Sequence, residues 1–309
     1  MSRSIAARGP LEVTRRDPTT GTTERIAFLG PPGERLYSCH YRPSAIPLGG
    51  VVICPSVHAE FTGSYGREVL LARRLAEAGF AVQRFHYRGT GNSDGTGREV
   101  TFDSMREDAQ VSLGHLRSEV AGPVCLLGTR WGAMVAASAA AFEPEAPLVL
   151  WEPLVEGWRF FREAFRSMMV AELRDGVDTP TTGEEYVRRL EAGASVDIVG
   201  HTIEPALYAS WVGRKLTDEV GSTPRSILVA QIGPSDTTPP ELTRAAEAWR
   251  AARFDVEVRS FRGERSSWLV DERWHNEASQ SPTATLIADT IGWIRERTVG
   301  SSPTVEAHP

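Results

Sequence analysis

From Gly50 onward the sequence alternates short apolar runs with longer stretches of helical periodicity, and no other feature restricts the fold as much. The runs Gly50–Pro55, Phe80–His86, Val124–Leu127, Pro147–Trp151, Ser226–Ile232 and Phe254–Phe261 have the brevity and apolar continuity of strands covered on both faces. Between them, residues 66–78, 100–120, 132–142 and 240–253 read as helices, the first ended by Gly79, and residues 282–297 form a closing helix. Strands alternating with helices imply parallel pairing through right-handed crossovers. Ahead of this series, Arg25–Gly30 and Arg35–Arg42 flank Pro31-Pro32-Gly33 as a hairpin. The fold class expected is α/β, with a mostly parallel sheet of about eight strands covered on both sides.

The alternation breaks between about Glu152 and Thr223, where aromatic residues mix with charges and no buried-type strand is evident. An insertion at the C-terminal end of a strand lies over the site that such sheets build there, so residues 153–223 read as a lid. The organisation expected is a loose N-terminal segment 1–24, a core of 25–152 and 224–298, the lid, and a disordered tail 299–309. With 41% hydrophobic and 24% charged residues the composition is that of an ordinary globular protein. A net charge of -6 with no Lys/Arg run argues against nucleic acid as a partner. No window approaches the ~20 apolar residues of a membrane span, and the start carries no signal-peptide pattern. Cys39, Cys54 and Cys125 are scattered and odd in number, as buried reduced thiols are, which points to the cytoplasm.

The chemistry centres on Val124-Cys125-Leu126-Leu127-Gly128-Thr129-Arg130-Trp131-Gly132-Ala133. This is the G-x-S-x-G frame, a strand, a sharp turn and a helix, with Arg130 where the frame holds its nucleophilic serine. Cys54-Pro55-Ser56-Val57-His58-Ala59-Glu60 follows the third expected strand, where an oxyanion loop belongs. Tyr87-Arg88-Gly89-Thr90-Gly91-Asn92-Ser93-Asp94-Gly95 follows the fourth. Its glycines do not make a dinucleotide site, because the spacing is one residue too long and the helix begins too late to meet a pyrophosphate.

On these residues the chain resembles the α/β-hydrolase-like proteins known as exosortase A system-associated hydrolases, relatives of serine aminopeptidases with arginine at the elbow. Gly128-Thr129-Arg130-Trp131-Gly132-Ala133 resembles their G-L-R-L-G-A element. Leu150-Trp151-Glu152-Pro153-Leu154-Val155-Glu156-Gly157 resembles their sixth-strand exit, and Val196-Asp197-Ile198-Val199-Gly200 their lid segment. Phe61 stands where that family has a second glutamate, and the region around Trp268 matches loosely. The resemblance implies the α/β-hydrolase fold and an acyl-type activity.

Arg130 stays protonated and is no nucleophile. Placed at a helix N-terminus and buried, it needs an anion, either a carboxylate from Glu60, Glu152 or Asp236, or that of a ligand. The candidate catalytic groups are therefore Arg130 as electrostatic clamp, with His58, Glu60, Asp236 and His275 as acid/base groups. Ser56, Trp131, Glu152 and Trp268 are candidate substrate-binding residues. Ser56 and Ser93 are the candidate substitute hydroxyls. Several of these residues have a plainer reading: His58 and Glu60 as loop polars bracing a turn, His275 as a surface histidine, Ser93 as a turn-stabilising serine, and the tryptophans, with Trp158 and Trp211, as core and lid packing. No cofactor and no metal site is expected. The partner expected is a small molecule, with neither nucleic acid nor membrane, and a homodimer is left open. Three functions compete: a hydrolase-like protein acting on a small acyl-bearing or anionic substrate without a serine nucleophile, a catalytically silent binding or partner protein, and a non-hydrolytic enzyme of lyase or cyclase type.

Overall fold

A computed structural model describes residues 12–235, 237–263 and 281–299. Its core is a sheet built from β1 (Val13–Arg16), β2 (Thr23–Leu29), β3 (Leu36–Arg42), β4 (Gly50–Cys54), β5 (Ala81–Phe85), β6 (Val124–Thr129), β7 (Leu148–Trp151), β10 (Ser226–Gly233) and β11 (Asp255–Arg262). The order is β1-β2-β3-β5-β4-β6-β7-β10-β11. From β5 to β11 neighbours pair in parallel, while β1, β2 and β3 meet their neighbours antiparallel. All eight expected strands are present. The ninth, β1, lies within the segment expected to pack loosely, pairs with β2 and is exposed throughout.

Strand periodicity divides the core into two layers. Val51, Ile53, Cys125, Leu127, Val149 and Trp151 point to α1 (His58–Glu77) and α9 (Ser281–Val299). Val52, Cys54, Leu126, Leu148 and Leu150 point to the opposite face, against α2 (Phe102–Glu119), α3 (Trp131–Ala140) and α8 (Pro240–Ala251). The chain leaves β4 toward β5 and returns across it to β6, so α1 and α3 leave adjacent strands toward opposite faces. Such a switch point opens a crevice at the C-terminal ends of the strands.

The insertion between β7 and β10 contains α4 (Trp158–Arg174), α5 (Gly183–Glu191), the hairpin β8 (Val196–Ile198) and β9 (His201–Ile203), α6 (Pro205–Trp211) and α7 (Leu216–Glu219). Helix α4 is amphipathic, with Phe160, Phe161, Ala164 and Phe165 buried.

Candidate functional site

Three adjacent strands, β4, β6 and β7, are each followed closely by a non-glycine residue of positive φ: His58 at 54°, Arg130 at 51° and Glu152 at 47°. Each such residue stores roughly 1–3 kcal/mol of backbone strain, which persists only where the surroundings enforce it. All three were candidates from the sequence. The turn at Arg130 is made possible by its glycines: a Cβ on Gly128 would lie 2.1 Å from the Gly132 carbonyl oxygen, and one on Gly132 would lie 2.1 Å from that of Cys54. Helix α3 is thereby packed against β6 and the exit of β4, and Arg130 projects from the turn as its N-cap.

The Arg130 side chain is 7% exposed. Its Nε and Nη2 both donate to Glu60 Oε1, at 3.0 and 2.7 Å. Glu60 Oε2 accepts from Ser56 Oγ at 2.8 Å. Nη2 also pairs with Glu163 of α4. Burial works against the guanidinium charge, but the Glu60 and Glu163 carboxylates more than offset it and hold the group above its usual value. On Glu60 burial pushes the carboxyl upward, opposed by Arg130 and Ser56. Three donors on one carboxyl are the partners of the ionised form.

The other candidates are placed as follows. His58 and Glu60 were expected on a loop, but α1 begins at His58 and carries both in its first turn. His58 packs against Phe160 and His201, with ring centroids 5.9 and 5.8 Å away, and burial pulls its imidazole down to about 3. Ser56 is 1% exposed and its hydroxyl serves Glu60 rather than a pocket. Glu152 lies 3.7 Å from Arg67 of α1 and shares a small cavity with Arg130. Trp131, expected to bind substrate, is instead core: it follows Arg130 by one helical step, which turns it inward. There it stacks on Trp211 at 3.4 Å and donates its N–H to Met105 Sδ at 3.1 Å. Ser93 braces the turn after β5, donating to the His86 carbonyl at 2.6 Å and accepting from the Tyr37 amide at 2.9 Å. Asp236, His275 and Trp268 lie outside the described residues.

Glu163 was missed. An exposed-looking carboxylate on an amphipathic helix reads as solvent face, and only its i,i+4 spacing from Arg159 puts the two on one stripe. Arg159, Glu163, Arg130, Glu152, Gln231 and Glu241 contribute polar groups to a cavity of about 50 Å³. That is room for little more than water.

Among the described residues, one group has the composition of a metal site. His40 of β3 and His115 and Glu119 of the last turn of α2 bring ligand atoms within 4.8 Å of one another. The Glu119 carboxylate there already meets Arg25 at 3.2 Å and Arg42 at 3.5 Å.

This architecture, with its positive-φ turn between β6 and α3, is the α/β-hydrolase fold. Residues 49–174 match the family model Hydrolase_4, serine aminopeptidase, S33. No curated protein matches the sequence. Among solved structures the chain is similar to Est1E from Butyrivibrio proteoclasticus, at 13% identity and a TM-score of 0.56 over 88% of this chain and 98% of that one. It is similar also to mouse alpha/beta hydrolase domain-containing protein 10, at 18% identity and a TM-score of 0.51 over 88% and 98%. A third is an α/β serine hydrolase without lid from Xanthomonas campestris, at 16% identity and a TM-score of 0.50 over 92% and 95%. At these identities the likeness is one of fold. No helix among the described residues is long and apolar enough to cross a membrane.

Proposed function

We propose that this α/β-hydrolase-fold chain takes a small acyl-bearing or anionic substrate beneath its insertion, residues 153–223, which serves as a lid. Arg130 is the electrostatic clamp at the place where hydrolases of this fold hold a serine nucleophile. The observation that carries the reading is the gathering of backbone strain at His58, Arg130 and Glu152, on three neighbouring strand ends around one buried cation. Strain of this kind collects at ligand clamps and active sites.

The two carboxylates on Arg130 are unlike. Glu60 is fully buried on the body of the fold, whereas the Glu163 side chain is 43% exposed and belongs to the lid. Glu60 is the permanent counterion. Glu163 occupies the position of a ligand anion, and an incoming carboxylate or phosphate takes its place on Nη2 when α4 lifts. The cavity of about 50 Å³ must widen for this step. A cation held ready in a site closed to water stabilises negative charge developing on a substrate oxygen. A reducing, cytoplasmic setting belongs to the same reading, supported by three buried free thiols at Cys39, Cys54 and Cys125.

The tightness of that cavity favours a second reading, a catalytically silent protein in which Arg130 locks lid to core. Calorimetric titration with acetate, succinate and phosphate, run beside turnover of short p-nitrophenyl esters, separates the two. The clamp reading expects anion binding that strengthens in Glu163→Gln and disappears in Arg130→Met. Ester turnover without a fluorophosphonate adduct would add catalysis to it. Absence of anion binding to a folded Glu163→Gln variant leaves the silent reading standing.

A further inference from the structure

A cavity of about 570 Å³ lies inside the insertion and shares no lining residue with the cavity at Arg130. Helix α4 separates them. Arg159 and Glu163 face Arg130, whereas Phe161, Phe165 and Met169 face the larger space. We propose that this second cavity is a binding site for an apolar carboxylate, an acyl or aryl body with one anionic head. The inference goes beyond the clamp reading of Arg130 and does not depend on it.

Size and wall chemistry come first. The volume falls within the ~300–1,000 Å³ of small-molecule sites, which are mostly apolar with a few placed polar groups. Phe161, Phe165 and Tyr208 supply aromatic walls, and Met169 and Val187 supply adaptable aliphatic ones. Trp158 closes one side while 37% exposed, so a body seated there covers apolar surface that now meets water.

The rim sets the sign of the head group. Arg162 and Arg166 stand one turn apart on α4, where like charges repel. Neither has an ion-pair partner among the described residues, and Arg162 rests over the Trp158 ring at 4.5 Å. Arg188 faces them from α5 and shares the Glu185 carboxylate with Arg189. The carboxylates that also reach the cavity, Glu184 and Glu191, lie on α5. Arg162 and Arg166, with no direct ion pair, thus present donors on the α4 side of an apolar chamber, opposite the α5 carboxylates, and a head group seated on the α4 side meets guanidinium forks that fit a carboxylate.

The test is calorimetric titration of the full chain with decanoate and cinnamate, with decanol as the uncharged control. Saturable binding is expected for at least one carboxylate, and which one binds tells an acyl from an aryl body. Arg162→Gln and Arg166→Gln are expected to weaken it by about tenfold each, the loss of a charge-assisted hydrogen bond, while leaving decanol unchanged. Val187→Trp, which projects an indole into the chamber, is expected to weaken it by at least about tenfold. Arg130→Met is expected to leave it intact, so that failure here and failure of the clamp are separately visible. Three results would each overturn the proposal: no saturable binding of either carboxylate, affinity indifferent to Arg162 and Arg166, or binding lost only in Arg130→Met.

Discussion

Arg130 gives two of its N–H groups to a single oxygen of Glu60, Oε1, because Ser56 holds the other. The result is not the two-oxygen fork that guanidinium and carboxylate usually form. It leaves Nη2 turned partly toward α4, where Glu163 meets it.

The pair itself can be weighed. Glu60→Ala strands a buried guanidinium, and we expect a loss of about 3–5 kcal/mol in urea unfolding. Arg130→Met combined with Glu60→Leu removes both charges in favour of apolar groups of similar length, and should recover most of that loss. A double-mutant cycle closed with the single variants Arg130→Met and Glu60→Leu reads the coupling directly. If the double variant is as unstable as Glu60→Ala alone, the cation is not what Glu60 compensates.

Acid should destabilise the fold through neutral histidines. Burial lowers His58 to about 3, and His40 and His86 to about 4. Between those values and the ordinary ~6.5 of the unfolded chain, the unfolded state binds protons that the folded state refuses. The stabilising difference is complete above pH 6.5 and is lost as pH falls, by about 1.4 kcal/mol per pH unit for each histidine. Asp108 acts in the opposite sense. Burial raises it to about 6, so the folded state gains a proton there first as pH falls toward 4. Burial raises Glu60 and Glu68 in the same sense as Asp108, but it also lowers His115 and His201, so the lowered histidines outnumber the raised carboxyls and the urea midpoint should fall from pH 7 to pH 5. His58→Gln should flatten that slope. A midpoint that holds steady or rises would contradict the assignment.

How much of this was legible depended on whether burial left a mark in the sequence. The doubly covered strands did, since every residue of β4 and β6 is buried and therefore apolar or small, apart from the terminal Thr129. The need of Arg130 for a carboxylate was legible because a buried cation without one is too costly to keep. The start of α1 was not, because Gly63 and Gly66 weaken the helical signal across its first turns. Strand β1 was not, because an exposed edge strand needs no apolar pattern. The burial of Trp131 leaves no mark, because it adjoins Arg130 in sequence while the helix turns its side chain into the core.

The glycines offer a test of the turn. Gly132→Ala places a methyl 2.1 Å from a backbone oxygen, and we expect a loss of at least about 3 kcal/mol or failure to fold. Gly66→Ala, at an exposed position of α1 with nothing within 4 Å, should instead gain about 0.5–1 kcal/mol. Thermal melts of both variants suffice. A tolerated Gly132→Ala would mean that α3 is not seated against β4 as described.

The strained backbones at Arg130 and Glu152 bear on how such a sequence persists. Glycine would relax both turns, and both the arginine and the glutamate codon sets lie one base change from glycine. Removing either side chain also removes one partner of a buried ion pair, so a saturation library over positions 130 and 152, scored for abundance, would set the backbone strain relieved by glycine against the loss of the pairs with Glu60 and Arg67.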